Sequence, residues 1–340
     1  MADLRLQLAR NADEYPLADI PATPLWGENY AFSCFDPVHE VAVIAMLGRW
    51  WADPRIWREF VMISLSGDSV IVAKNYGQAT TSDVASAALF RVEVTEPGRS
   101  LRLRFDGPAS IYSRAELLAQ GATPRRAKLV RADIDFRGVA PVWNMSGHEE
   151  HGETIAGSLH LEQVGTGHGF VEFGDERRAI EHAFMNRDHS RGVRDLTPFR
   201  RHCWAQGWFP AEDVTFNVYA IEVFGVDGLA MQTATVSHGD QRYPAEIVAV
   251  ELIEGLHDMM GAFRLTLRSE LGEMSLLNPG ADRSLPVGVT SPWEVFAGAT
   301  PGQHNMMTFE EPVRWDWDGR SGLGWSERAF NAAPFGQPAS

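Results

Sequence analysis

Two cysteines, Cys34 and Cys203, are all that this 340-residue chain contains. A pair so far apart builds no disulfide framework and fits a reducing compartment, where free cysteine usually serves as a small buried hydrophobe. No run of 18 or more apolar residues occurs, which excludes a membrane-spanning helix. The stretch Met1 to Ile20 alternates charged and apolar residues and lacks the apolar centre of a secretory signal, so cytoplasm is the expected location. Positive charge is scarce as well. Lys and Arg number 30 against 45 Asp and Glu, a net charge of -15 that would repel nucleic-acid phosphates and anionic membrane surfaces. Glycine motifs that cradle phosphates are missing, as is the G-x-S-x-G nucleophile elbow, so no nucleotide, flavin or other cofactor and no covalent serine chemistry is expected.

Helical periodicity is also rare; what fills the chain is alternation. Val130-Arg131-Ala132-Asp133-Ile134-Asp135-Phe136-Arg137 puts four apolar side chains on one face and four charges on the other, as a half-buried antiparallel strand requires. Leu101 to Phe105 and Phe263 to Arg268 repeat the pattern. Asp106-Gly107, Asp227-Gly228 and Asp318-Gly319 read as hairpin turns, with Gly67-Asp68 and Gly239-Asp240 acting similarly. The clearest hairpin runs from Tyr219 through Asp227-Gly228 to Val236. Ser113 to Gln120, with a serine cap and a glutamate three residues on, predicts one short helix, and Asp53 to Phe60 fits either a helix or a strand entry. Gly165-Thr166-Gly167-His168-Gly169 reads as a break near a domain boundary. The expectation is an all-β chain of about twenty strands in two consecutive antiparallel β-barrels or sandwiches, residues 1–175 and 176–340, with few short helices. No fixed-period repeat suggests a propeller or solenoid.

Three stretches concentrate polar chemistry. Asn186-Arg187-Asp188-His189-Ser190-Arg191-Gly192-Val193-Arg194-Asp195 packs two carboxylates, an imidazole and three arginines into ten residues. A carboxylate beside an imidazole can move protons, and arginines hold carboxylates ionised; the same composition also suits a structural salt-bridge knot. Gly147-His148-Glu149-Glu150-His151-Gly152-Glu153 holds two imidazoles and three carboxylates, but its spacing is not the H-E-x-x-H of a helical zinc site, so no metal is expected. Along Pro198 to Phe209, Trp204, Gln206 and Trp208 fall on one face at strand spacing and could offer two indoles and an amide to a pocket, or simply fill a core. His202 and Cys203, neighbours on a strand, should point apart.

The chain resembles the lipocalin-related carotenoid 1,2-hydratase and AttH-like family. The resemblance rests on His148 to Gly152 leading into Gly157, on Arg187-Asp188-His189-Ser190-x-Gly192-x-Arg194-Asp195, and on the aromatic strand through Trp204 and Gly207. Trp26 to Asp36 and Gly322 to Glu327 also look like that group. It implies two lipocalin-like barrels and a hydratase, or related lyase, that protonates the double bond of an apolar molecule such as an isoprenoid, steroid or polyketide. Asp188 would be the acid, His189 would reprotonate it or orient water, and Tyr219 would relay a proton. Trp204 and Trp208 would face the cation, with Arg191, Arg194, His148 and Glu150 completing the substrate-binding set. The chain departs from the family in having Arg191 where tryptophan is common, and in following Tyr219 with Ile221 and Glu222 rather than an aspartate two positions on. A non-catalytic carrier of a hydrophobic ligand, and a pocket that folds a polyene or polyketide for cyclisation, are the alternatives. The expected partner is an apolar small molecule, not nucleic acid or membrane, and a homodimer is left open.

Overall fold

A computed structural model describes residues 11–65, 67–79, 81, 84–119, 126–146, 157–193, 195–280, 283–290, 293–298 and 306–331. Its regular secondary structure is nearly all antiparallel strand. The first sheet contains β1 (Trp26–Asp36), β2 (Val41–Trp50), β3 (Asp53–Ser64), β4 (Ser69–Gln78), β5 (Ala85–Ser86), β6 (Phe90–Glu96), β7 (Ser100–Ser113), β8 (Arg126–Gly138), β9 (Trp143–Asn144), β10 (Leu159–Phe173) and β11 (Glu176–Val193). The second contains β12 (Phe199–Phe209), β13 (Val214–Val223), β14 (Met231–His238), β15 (Gln241–Val250), β16 (Phe263–Ser269), β17 (Gly272–Asn278), β18 (Leu285–Thr290), β19 (Glu294–Ala297), β20 (Met306–Trp317) and β21 (Arg320–Phe330).

Each sheet closes on itself. In the first, β1 to β4 run in order, β4 pairs with β7, and β7, β8, β10 and β11 lead back to β1, a ring of eight strands. In the second, β12 to β17 run in order, β17 pairs with β20, and β21 returns to β12. Closure leaves no strand of either ring as an open edge, which is how an antiparallel sheet avoids templating aggregation. Contacts divide the chain into two compact units. One is Met1–Ser66, Ile71–Ile111 and Pro124–Asp195; the other is Gly67–Val70, Tyr112–Thr123 and Leu196–Ser340.

Alternation builds both cores. Tyr30, Phe32 and Cys34 of β1 pack with Leu101, Leu103 and Phe105 of β7 and with Ile134 and Phe136 of β8. In the second unit Cys203 and Ala205 of β12 pack with Phe216, Val218, Leu265, Leu267 and Trp315. Both cysteines are buried and unbridged, and burial pushes the Cys34 thiol up beyond any useful acidity and that of Cys203 up to about 12. His202 and Cys203 do point apart, since only Cys203 joins the core.

Local signals mostly hold. Asp318 and Gly319 both adopt positive φ and turn β20 into β21. The hairpin of Tyr219 to Val236 is the β13–β14 pair. Ser113 caps a helix over Arg114–Leu118, with Glu116 completing a capping box. Asp53 to Phe60 is strand, in β3. Two turn readings are overturned. Asp106-Gly107 lies within β7, where Gly107 pairs with Val130 and makes room for Leu89. Gly165 to Gly169 is not a break but the middle of β10, bulged between Gly167 and Gly169. Its glycines answer to crowding: a Cβ on Gly165 would strike the Phe136 ring, and one on Gly169, at φ +150°, would strike the Asp133 carbonyl.

Candidate functional site

The polar decapeptide lies in the 18-residue strand β11, and strand geometry splits it. Successive side chains of a strand face opposite ways. Arg187, His189 and Arg191 take one side, facing Phe32, Tyr30 and Glu28 across β1, while Asn186, Asp188 and Ser190 take the other. Both sides are shielded: Arg187, His189, Asn186, Asp188 and Ser190 are all buried. Sequence neighbours therefore serve two separate networks.

On the core side the charges are paired. Arg187 forks onto Glu14 at 2.6 and 2.8 Å and donates Nε to Gln163 at 3.0 Å. Glu14 belongs to a short 3-10 helix, Asn11–Glu14, whose carbonyl also accepts from Tyr30 Oη. Glu28 accepts from Arg49 Nε at 2.8 Å and from His189 Nε2 at 3.1 Å. The His189 ring stacks on Tyr30 with centroids 3.9 Å apart, and Arg191 bonds Asp13 at 2.9 Å. Burial works against the Glu28 charge, but His189 and Arg49 outweigh it and hold the carboxyl below its ordinary range. This is a knot of compensated charge, with no acid left in reserve.

The opposite face differs. Asp188 stands directly across from Glu162 of β10, although like charges face to face destabilise a strand pair. His160, two residues before Glu162 on the same face, resolves the conflict. Its Nε2 contacts Asp188 Oδ2 and lies 3.0 Å from Glu162 Oε1. Ser190 Oγ donates to Asp188 at 3.2 Å and Asn186 Nδ2 to Glu162 Oε2 at 3.3 Å. Glu162 Oε1 makes no directed hydrogen bond. Burial pushes the Glu162 carboxyl up to about 7; His160 and Asn186 oppose the rise and the Asp188 charge adds to it. At neutral pH a substantial fraction of Glu162 thus carries a proton. Chemically the cluster can give a proton, accept one and pass it across an imidazole.

His160, Glu162 and Asp188 are also the one set among the described residues whose donor atoms lie close enough, within 4.8 Å, to hold a metal ion.

The second unit has a related arrangement. His202 Nε2 lies 2.5 Å from Glu327 Oε1, and Glu327 stands directly across from Glu310. Trp325 Nε1 donates to Glu310 at 2.7 Å. Burial first, and then the Glu327 charge, push the Glu310 carboxyl well up.

A model of the DUF7064 family, described as a domain of unknown function, matches residues 10–332. The chain belongs to this family. No curated protein matches the DUF7064 chain in sequence. Its fold is shared with solved structures at low identity. The AttH-like NE1406 of Nitrosomonas europaea superposes with a TM-score of 0.55 at 10% identity, over 90% of this chain and 93% of that one. Kievitone hydratase from Nectria haematococca gives 0.53 at 10%, over 97% and 95%. CghA gives 0.55 at 11%, over 96% and 97%. The lipocalin-like architecture expected from the resemblance is therefore the architecture of this DUF7064 member.

Of the residues singled out in the sequence, Asp188 lies in the acid/base cluster. His189 and Arg191 lie on the opposite face in the charge knot, so Asp188 and His189 do not meet. Trp204, Trp208 and Tyr219 belong to the second unit, where Trp204 pairs with Tyr219 and the Tyr219 ring sits 6.1 Å from that of His202. His148, Glu150 and Arg194 lie outside the described residues. Sequence reasoning missed His160, Glu162, Glu28 and Glu14 in the DUF7064 chain. Alternation applied to the decapeptide would have separated Asp188 from His189, but only the register of β10 against β11 identifies their partners.

Proposed function

We propose that the chain is a cofactor-independent hydratase or related lyase that works by proton transfer on the double bond of an apolar small molecule. Glu162 is the acid. Its proton passes to one alkene carbon as the π pair forms the C–H bond, leaving a cation on the neighbouring carbon. Water adds to that carbon and surrenders a proton to Asp188, and His160, in contact with both carboxylates, returns it to Glu162. One water is consumed and the residues end as they began. The reading keeps Asp188 as a catalytic residue and gives His160 the part first expected of His189.

The observation that carries the proposal is a protonatable glutamate, shifted to about 7, set against a second carboxylate with an imidazole touching both. Pairs of titratable groups whose environments drive their pKa values apart are how one site holds both an acid and a base. That a hydratase of kievitone shares the fold supports the reaction class.

The test is incubation with a panel of isoprenoids, steroids and prenylated phenols in heavy-oxygen water, with mass spectrometry for uptake of labelled hydroxyl. Wild type is expected to label at least one compound. Glu162→Gln and Asp188→Asn should each cut the rate by about a hundredfold or more while leaving the circular dichroism spectrum unchanged. Full activity in both folded variants would remove the cluster from the reaction, and loss only after chelation would point to a bound cation instead.

A further inference from the structure

A cavity of about 390 Å³ opens in the second unit where β15 leaves its neighbour. Pairing of β14 with β15 stops at Ala234 and Ala245. Yet β14 begins at Met231, and β15 runs on to Val250 against β16, bulged between Ile247 and Ala249. A bulge bends the strand that carries it, and the cavity lies along this stretch of β15, lined also by Gly228 and Leu229 from the β13–β14 connection. Leu229, Ile247, Val250 and Leu252 give it an apolar wall, and the last three pack on the core of the barrel. Its charged lining residues are Arg201 and Glu222. An apolar wall with few polar groups, at the small end of the range of about 300–1,000 Å³, is the make-up of a small-ligand cleft.

The charges at its polar end define the ligand. Glu222 accepts from Arg201 Nε at 2.7 Å and from Nη2 at 2.8 Å, and Arg200 Nη1 stands 3.9 Å from the same carboxylate. Two guanidinium groups thus share Glu222, and the fourth charge is Glu254, which accepts from Arg201 Nη1 at 2.8 Å. Glu254 is a weakly held partner: its side chain is 69% exposed, it follows β15 in an irregular segment, and it bonds Arg201 through one oxygen. Exposed ion pairs of that kind contribute little. With Glu254 swung away, one positive charge is left over beside an apolar wall, on a group whose donors match a carboxylate. An outside carboxylate can make the bond that Glu254 makes and bury an apolar chain as well, which Glu254 does not. We propose that this cavity binds a medium-chain aliphatic monocarboxylate, its head on Arg201 Nη1 in place of Glu254 and its chain against Leu229, Ile247, Val250 and Leu252. The site lies wholly within the second unit and does not depend on the chemistry assigned to Glu162.

The probe is octanoate, titrated into the deuterated, nitrogen-15-labelled full chain, with the backbone amides of Gly228 and Ala249 as local reporters. Both signals are expected to shift saturably, with affinity rising about fourfold per methylene from hexanoate to octanoate. 1-Octanol, which has the chain without the charge, should bind about tenfold more weakly, and octylammonium should leave the reporters where they are. Arg201→Met should abolish the response to octanoate. Glu254→Ala should tighten octanoate about two- to fivefold, because it removes a competitor held by an exposed ion pair; a cationic ligand would instead be weakened by that change. Reporters unmoved by octanoate overturn the proposal, as do equal binding of 1-octanol, a response to octylammonium, a folded Arg201→Met chain that still responds, or weaker octanoate binding by Glu254→Ala. Should Arg201→Met fail to fold, the head-group series on wild type and the Glu254→Ala titration decide.

Discussion

At the scale of the residue, the protonation of Glu162 is coupled to stability. An unfolded glutamate titrates near 4.5, whereas in the fold burial holds this carboxyl up to about 7. The folded state therefore keeps its proton to higher pH. Its contribution to stability is fully present below about 4.5 and is lost as pH climbs through about 7, a span worth on the order of 3 kcal/mol. Glu162→Gln, which fixes the neutral form, should flatten this part of the profile. Urea midpoints at about pH 5 and about pH 8 check it: wild type should lose more stability between them than the variant. Asp188 was visible in the sequence as a candidate acid, because carboxylates with imidazole neighbours are uncommon without purpose. Glu162 was not, since a lone His-x-Glu in an apolar strand announces nothing until Asp188 is seen opposite.

At the scale of the element, β11 shows how one strand supports two networks. The salt-bridge knot and chemistry were competing readings of the same ten residues in the sequence; the structure has an ion-pair knot on one face and a carboxylate–imidazole cluster on the other. Removing one partner of the knot leaves a buried charge: Glu14→Gln strands the Arg187 guanidinium and should cost about 3–5 kcal/mol. Replacing both, Glu14→Leu with Arg187→Met, should recover much of that loss, because no orphaned ion remains. Chemical denaturation of the double variant beside the singles Glu14→Leu and Arg187→Met measures the coupling. Additive effects would show that the pair is not energetically linked. Strand patterns and the Asp318-Gly319 turn were legible because alternation and positive φ are local properties. Gly165 to Gly169 misled for a matching reason: its glycines answer to Phe136 and Asp133 on the neighbouring strand, which local sequence does not reveal.

At the scale of the molecule, two closed rings follow from composition that alternates nearly throughout and offers few helices to cover an open sheet. The all-β class with two successive barrels was readable for that reason; which strands close each ring was not, because β4 to β7 and β17 to β20 are long-range pairings. Closure also makes the last strand indispensable. A chain ending before Arg320 would expose β12 and β20 as open edges, and such edges recruit other strands. That truncation should raise light scattering at micromolar concentration and lower the soluble yield severalfold. A soluble, monodisperse truncated chain would contradict ring closure as a source of solubility.

The two-sidedness of β11 has a consequence for heredity. One codon inserted ahead of Arg187 would turn the strand over, sending the framework's arginines outward and the proton-handling residues into the barrel. Point substitutions at even positions can retune the chemistry without disturbing the scaffold, whereas insertions and deletions there ruin both together. Divergence in this stretch is thus expected to proceed by exchange of letters and hardly ever by change of length.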